Sequence, residues 1–210
     1  MAEKEKLPEK TVERLSEYRR SMLNCLAQGK THIFSHDLAL LHNITAVQVR
    51  RDVMFMGYTS SQRKGYDIKE MIEVIGRVLD SESGLNVAIV GMGNLGKAIT
   101  AYFTGKRSKL NIVAGFDIDP DKTNMTISGV KCYPLSSLND IIKKKNISIG
   151  IITVPPTFAP DIAKLLVNFG IKGILNFTSI PLNVPESVFL ENYDMITSLE
   201  KVAYFVKEKK

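Results

Sequence analysis

Residues 86–96 read NVAIVGMGNLG, and this stretch decides the fold. Residues 87–90 are an apolar run rich in β-branched side chains, suited to a strand buried on both faces of a parallel sheet. The run stops at Gly91-Met92-Gly93-Asn94-Leu95-Gly96, a G-x-G-x-x-G, and a helical pattern continues from Leu95 to about Thr104. In such a turn the first glycine makes the bend and the second lets a pyrophosphate approach the backbone. The third lets helix and strand pack closely, while the helix N-terminus faces the anion. Twenty-one residues past Gly96, after a second apolar run at 110–116, stands Asp117, with Ile118 beside it. An acid there fits the ribose hydroxyls of NAD. The alternative, a tight strand-to-helix turn that binds nothing, does not require the terminal acid.

Working outward towards the C-terminus, residues 130–133 predict a short strand. Ser136 or Ser137 would cap a helix that ends in Lys143-Lys144-Lys145, charges suited to a helix C-terminus. Residues 147–154 predict a buried strand ending in Thr153-Val154-Pro155, residues 160–168 a helix before Gly170, and 174–177 another strand. Strands alternating with helices predict a doubly wound parallel sheet, whose ligands bind at the carboxyl ends of the strands. That edge gathers Gly91 to Gly96, Asp117, Thr153, Val154, Pro155 and Asn176 as candidate cofactor-binding residues. At the end of the chain a helix is expected from about Thr197, with Thr197 and Glu200 as a capping box. Its stripe of Leu199, Val202, Phe205 and Val206 must be buried against something.

Towards the N-terminus the pattern changes. Residues 1–6 are a charged tail. Pro8 opens an amphipathic helix carrying Val12, Leu15, Met22 and Leu26 on one face and Glu13, Arg19 and Arg20 on the other, up to Gly29. Ser35 would cap a short helix over 37–42, and 42–44 make a turn. A second helix runs from Thr45 to about Met56, with Thr45 and Gln48 forming a capping box. Ala46, Val49, Val53 and Met56 share its buried face; Val47, Arg50, Arg51 and Met54 point away. This is a helix-turn-helix with arginines outward. Residues 58–68 then read as a small hairpin with a basic tip, the wing of a winged helix. The candidate DNA-binding residues are Thr45, Val47, Gln48, Arg50, Arg51, Arg63, Lys64 and Tyr66. A further amphipathic helix over 68–79 leads to a polar boundary at 80–84.

The 210 residues have ordinary globular composition and a net charge of +6. Charge alone does not identify a nucleic-acid binder, since 13 Lys and Arg against 11 Asp and Glu in residues 1–80 leave only +2 there. What matters is placement: residues 43–66 hold four basic residues and one acid. No apolar run approaches the roughly 18 residues of a membrane span, and the charged start lacks the apolar core of a secretory signal, so a cytoplasmic protein is expected. Cys25 and Cys132 read as buried free thiols, with no basic neighbours to make a thiol switch. His32, His36 and His42 lack partners at metal-ligand spacing, so no metal is expected.

Taken together, the motifs ERLSEYRR (13–20), TAVQVRRD (45–52), KGYDI (64–68), VGMGNLG (90–96), FDIDP (116–120), TVP (153–155), GIKGILNFT (170–178) and LNVPE (182–186) resemble the Rex family of bacterial redox-sensing repressors. The resemblance covers nearly the whole chain. It implies a winged-helix DNA-binding domain at 1–80, a Rossmann domain for NADH and NAD+ at 81–196, and a C-terminal helix at 197–210 exchanged within a homodimer. It further implies an inverted-repeat operator in double-stranded DNA, control of respiratory and fermentative genes, and release of that DNA by NADH. Arg20, Tyr102 and Asp194 become the candidates for redox coupling, Tyr102 also touching the cofactor. The chain departs from the family's pattern at 56–67, MGYTSSQRKGYD, where glycines and aromatics are usual, and at Met195, where a phenylalanine is common. Two other readings stand beside this one. A small dehydrogenase would explain the Rossmann half but not the helix-turn-helix, and that half has no histidine and only Arg107 as an arginine. A CoA- or nucleotide-binding interaction module would explain the phosphate turn alone.

Overall fold

The computed structural model describes residues 7–59, 64–103 and 109–208, and the chain divides into two units, Met1–Ser81 and Glu82–Lys210. In the first unit, α1 (Glu9–Ala27) starts directly after Pro8. Leu15, Tyr18 and Met22, at successive turns of one face, are fully buried. β1 (His32–Ile33) leads into α2 (Ser35–His42), which ends at Asn43 in the left-handed region, a conformation asparagine tolerates. α3 (Ala46–Phe55) follows and buries Val49 and Val53 against the same core. β2 (Tyr66–Asp67) pairs antiparallel with β1, and α4 (Ile68–Leu79) closes the unit with Ile68, Met71 and Ile75 inside. Helix, strand, two helices, strand is the order of a winged helix; the wing expected between α3 and β2 includes residues 60–63, which lie outside the described residues.

Three local expectations are corrected here. Ser35 lies within the first turn of α2 rather than capping it; the Asp37 carboxylate accepts the Phe34 amide at 3.0 Å instead. The capping box of α3 is half formed. Thr45 Oγ1 accepts the Gln48 amide at 3.1 Å, but the Gln48 side chain turns to Asp52, whose buried carboxylate offers a charge-assisted partner. The hairpin expected over 58–68 includes residues 60–63, which lie outside the described residues; of its described end, Tyr66 and Asp67 pair with the distant β1. Tyr58 instead sinks into the core, its hydroxyl donating to Glu70 Oε2 at 2.8 Å. A buried ring contributes more than one edge of an isolated hairpin, which is marginal in water.

In the second unit a seven-stranded sheet has the order β5-β6-β4-β3-β7-β8-β9. β3 (Leu85–Val90), β4 (Leu110–Asp117), β6 (Val130–Pro134), β7 (Ile147–Ile152), β8 (Gly173–Asn176) and β9 (Phe189–Asn192) run parallel; β5 (Thr126–Ile127) is antiparallel. The uninterrupted apolar character of β3 follows from its central place. Val87 and Ile89 pack with Ile99 and Cys132 on one face, Ala88 and Val90 with Phe116 and Leu166 on the other. The chain passes from β3 to β4 on one side, then to β7 on the other, so the topological switch lies at the carboxyl end of β3. This is a doubly wound, Rossmann-type sheet. Its helices are α5 (Asn94–Phe103), α6 (Leu138–Lys144) and α7 (Ala159–Asn168).

β5 and β9, short and at the two edges, were not expected from their sequences. Neither Ser136 nor Ser137 caps α6, because a tight 3₁₀ turn over Leu135–Ser137 leads into it. The last helix, α8 (Met195–Lys207), begins earlier than expected and is capped by Asp194, not by Thr197. Asp194 Oδ1 accepts the Ile196 amide at 2.9 Å, and Thr197, inside the first turn, donates its hydroxyl to Oδ2 at 2.6 Å. A carboxylate serves a helix N-terminus better than a hydroxyl, because it also meets the positive end of the helix dipole. Leu199, Val202, Phe205 and Val206 are all more than half exposed.

Candidate nucleotide and nucleic-acid sites

Three glycines at the end of β3 have three separate reasons. Gly91 sits at φ +100°, and a Cβ there would lie 2.7 Å from the Thr153 carbonyl oxygen. A Cβ on Gly96 would run into the Gly91 carbonyl oxygen, so only glycine lets α5 approach the strand end. Around Gly93, by contrast, a Cβ would meet nothing within 4 Å: the space above the middle of the turn is open. Open room over the second glycine, beside the first amides of α5, is what a pyrophosphate needs. The residues present therefore fit a dinucleotide. Met92 is fully buried under the turn, and its amide is bonded to Asp117. Asn94 is exposed, and Leu95 packs its side chain against the core.

Asp117, at the end of β4, clamps this turn. Its Oδ2 accepts the Met92 amide at 2.9 Å and its Oδ1 the Asp119 amide at 2.9 Å. Lys122 Nζ lies 3.3 Å from Asp117 Oδ2 and 3.1 Å from Asp119 Oδ2. The Asp121 amide and Lys122 hold the Asp119 carboxyl below its usual range, and Asp119 in turn raises Lys122. A carboxylate offers about four acceptor positions, so Asp117 keeps capacity for a ribose hydroxyl. Ile118 is three-quarters exposed beside it. Across the switch, Thr153 donates its hydroxyl to the Gly91 carbonyl at 2.8 Å, tying the exit of β7 to the turn. Val154 packs partly on the core, and Pro155 is exposed.

Asn176 closes this edge, but its side chain is saturated. Nδ2 donates to the Ile180 carbonyl and to Asn192 Oδ1, both at 2.9 Å; Oδ1 accepts the Thr178 amide at 3.0 Å and the Thr178 hydroxyl at 2.8 Å. Fully buried, it knots the exits of β8 and β9 together and keeps no free donor or acceptor for a ligand. Tyr102, in the last turn of α5, is 60% exposed and sits edge-on to Phe103. The Asp194 carboxylate is held below its usual range by the Thr197 hydroxyl and the Ile196 amide. Tyr102 and Asp194 thus belong to the second unit, and Arg20, exposed on α1, to the first.

On α3, Val47, Arg50 and Arg51 face solvent as their spacing requires, with Thr45 at the cap. Arg50 Nη1 donates to Ser35 Oγ at 3.2 Å at the start of α2, and Tyr66, whose phenol burial pushes up, lies near both. Arg51 is held differently, its guanidinium 5.9 Å from the Phe55 ring centroid, within cation–π reach. Lys64 is exposed; Arg63 lies outside the described residues.

The reading of the sequence missed the polar centre beneath α3. Asp52 is fully buried and accepts from Arg14 Nε and Nη2, both at 2.7 Å, from the Tyr18 hydroxyl at 2.8 Å and from Gln48 Nε2 at 2.9 Å. Burial opposes its ionisation, but the bonds from Arg14, Tyr18 and Gln48 outweigh it and hold the carboxyl below its usual range. Burial and Asp52 push the Tyr18 phenol up. The signal was available: Asp52 falls beside Val53 on the inward face of α3, and a buried acid demands a cation. Arg14 and Tyr18 stand four apart on one face of α1, where they can reach one group together.

A nucleotide turn at the switch of a Rossmann sheet, joined in one chain to a helix-turn-helix with outward arginines, defines a nucleotide-responsive DNA-binding regulator. Redox-sensing transcriptional repressors named Rex match the chain nearly end to end. The one from Carboxydothermus hydrogenoformans is 36% identical over 96% of this chain and 97% of its own. The chain belongs to the Rex family of redox-sensing transcriptional repressors, which are regulators and not enzymes. The Rex of Anoxybacillus flavithermus is likewise 36% identical, over 98% of this chain and 96% of its own. A crystal structure of RSP, a Rex-family repressor, superposes with a TM-score of 0.86 at 32% identity, covering 97% of this chain and 96% of that one. RSP in complex with β-NAD+ and operator DNA gives 0.89 at 33% identity, covering 97% and 94%. Residues 82–180 match a family model described as a CoA binding domain, and residues 6–53 one described as "Putative DNA-binding protein N-terminus". No helix among the described residues is long and apolar enough to cross a membrane.

Proposed function

We propose that this chain is a cytoplasmic homodimeric repressor that binds an inverted-repeat operator and leaves it when NADH occupies the carboxyl edge of its sheet. Genes of respiration and fermentative NADH disposal then follow the NADH/NAD+ ratio. The observation that carries the reading is the open space over Gly93 at the topological switch, in a chain whose other unit exposes Arg50 and Arg51 on α3. Crystals of RSP with β-NADH, and with β-NAD+ and operator DNA, support it.

The amides of Gly93 to Gly96 receive the pyrophosphate, the Met92 amide being held by Asp117, with Asp117 and Ile118 on the adenosine side and Thr153, Val154, Pro155 and the loop pinned by Asn176 on the nicotinamide side. Thr45, Val47, Gln48, Arg50 and Arg51 meet the major groove, while Arg63, Lys64 and Tyr66 meet the flanking backbone. The division of labour is 1–80 for DNA, 81–196 for the cofactor and 197–210 for dimerisation, with α8 exchanged onto the partner, where its exposed stripe is covered. The cofactor supplies a ring that is cationic in NAD+ and neutral in NADH. The DNA-incompetent dimer must hold the neutral ring better, since a ligand shifts an equilibrium only by its differential affinity. Arg20, Tyr102 and Asp194 are the groups able to read that charge and pass it to the first unit.

The deciding experiment is a mobility shift on an inverted-repeat duplex with NAD+, NADH and CoA in separate titrations. Release by NADH alone is expected. Release by CoA alone would replace redox sensing with a CoA response, and oxidation of NADH by an oxo-acid, or reduction of NAD+ by a hydroxy-acid, would restore the dehydrogenase reading.

A further inference from the structure

Among the described residues of the first unit, Asp52 is the one fully buried carboxylate, and it sits between two helices. Its Oδ2 accepts from Arg14 Nε and the Tyr18 hydroxyl of α1; its Oδ1 accepts from Arg14 Nη2 and from Gln48 Nε2 of α3. An ionised carboxylate only accepts, and Arg14 only donates, so the charges of this cluster fix the direction of every bond. Asp52 therefore meets the NH₂ of Gln48, never its carbonyl, and Gln48 Oε1 is turned away from the buried acid. Gln48 is half-buried, one helical turn before Asp52 and next to the exposed Val47. An unbraced glutamine turns its amide over freely and pairs with donor or acceptor alike. This one cannot.

We propose that Asp52 is a positioning residue for base reading: by holding the NH₂ of Gln48 from below, it makes α3 present the acceptor Oε1 to the major groove. That selects a base edge that donates there, the N6 amino group of adenine or the N4 amino group of cytosine. The inference rests on α3 being the recognition helix. Arg14 and Tyr18 act through Asp52 and touch no base.

The test uses the full-length protein and a pool of duplexes of randomised sequence, with the bound fraction sequenced. Wild type, Gln48→Met, Asp52→Asn and Arg51→Ala are compared, each with its melting curve. Gln48→Met is expected to flatten the preference for a donating base at one position of each half-site by about tenfold, the scale of one good base contact. Asp52→Asn is expected to flatten the same position, with the position read by Arg51 unchanged. A merely structural Asp52 would weaken all sequences evenly, so a folded Asp52→Asn protein with the wild-type preference overturns the inference. Unaltered preferences in both Gln48→Met and Arg51→Ala would overturn the recognition-helix reading and this inference with it. A second measurement needs no Asp52 variant. In the free wild-type protein the Gln48 side-chain amide, assigned from its loss in Gln48→Met, should exchange its protons at least tenfold more slowly than that of exposed Gln28, and equal rates would overturn the proposal.

Discussion

At the scale of single residues, glycines of one motif have opposite tolerances. A side chain at Gly93 meets no protein atom, whereas one at Gly96 strikes the Gly91 carbonyl. Gly93→Val should therefore fold with stability within about 0.5 kcal/mol of wild type and hold operator DNA, yet ignore NADH. Thermal melting beside a mobility shift with NADH checks this, and NADH release at the wild-type concentration would refute it. Asp52 gives a prediction in pH. Its carboxyl titrates lower when folded than when unfolded. The stability it contributes is thus present above the ordinary carboxylate range and is lost as pH falls through the folded value. Asp52→Asn should be less stable at neutral pH by about 3 kcal/mol, because Arg14 loses its buried partner. The gap should close as acid protonates the wild-type residue. Denaturant melts at pH 7 and in acid would show it, and a gap constant with pH would exclude the assignment.

At the scale of elements, α3 and the wing segment should contribute differently to DNA binding. Arg51, held over Phe55, is the residue proposed to read a base edge, and Arg51→Ala should cost roughly 1–3 kcal/mol at the operator and relax one base position. Lys64, exposed beside β2, should act on phosphate. Lys64→Ala should weaken all sequences alike and reduce the salt slope by about one. Salt-dependent mobility shifts on operator and unrelated duplexes separate the two, and matching behaviour of the two variants would contradict this division. Helix boundaries and caps were the elements' least legible feature. Ser35, Thr197 and Ser136 or Ser137 are good caps by type, but Asp194 caps α8, and at α2 the Asp37 carboxylate reaches back to the Phe34 amide while no side chain caps the first turn. Competition between nearby cap candidates is settled by geometry that residue type does not encode.

At the scale of the whole molecule, redox sensing needs the charge of a nicotinamide to reach α3. Asp194 both caps α8 and is the proposed carboxylate of the coupling set. Asp194→Ala would remove two things at once, the cap alone being worth about 1 kcal/mol. Asp194→Asn keeps an oxygen for the Ile196 amide and gives up the charge with the acceptor of the Thr197 hydroxyl, which still makes it the better probe. It should retain DNA and NADH binding but narrow the discrimination between NADH and NAD+. Moving a population from 1:99 to 99:1 takes about 5.5 kcal/mol of differential binding, so one lost charge-assisted contact should be visible in the NADH titration of the operator complex. Wild-type discrimination in Asp194→Asn would exclude the switch.

What the sequence determined by itself is whatever rests on local spacing. The G-x-G-x-x-G between an apolar run and a helix, Asp117 at the end of the next run, and the alternation of strands and helices define a Rossmann sheet, because backbone sterics and periodicity act within a few residues. The exposed faces of Arg50 and Arg51 followed from the helical repeat for the same reason. Only the tertiary structure decided contacts between segments far apart in the chain. It placed Asp52 against Arg14 and Tyr18, 38 and 34 residues away, paired β2 with β1, added β9 beside β8, and saturated Asn176 through Asn192. No local pattern marks such partners. A two-residue strand or a buried carboxylate acquires its role only when packing excludes water and leaves a distant group as its sole means of satisfying a hydrogen bond or a charge.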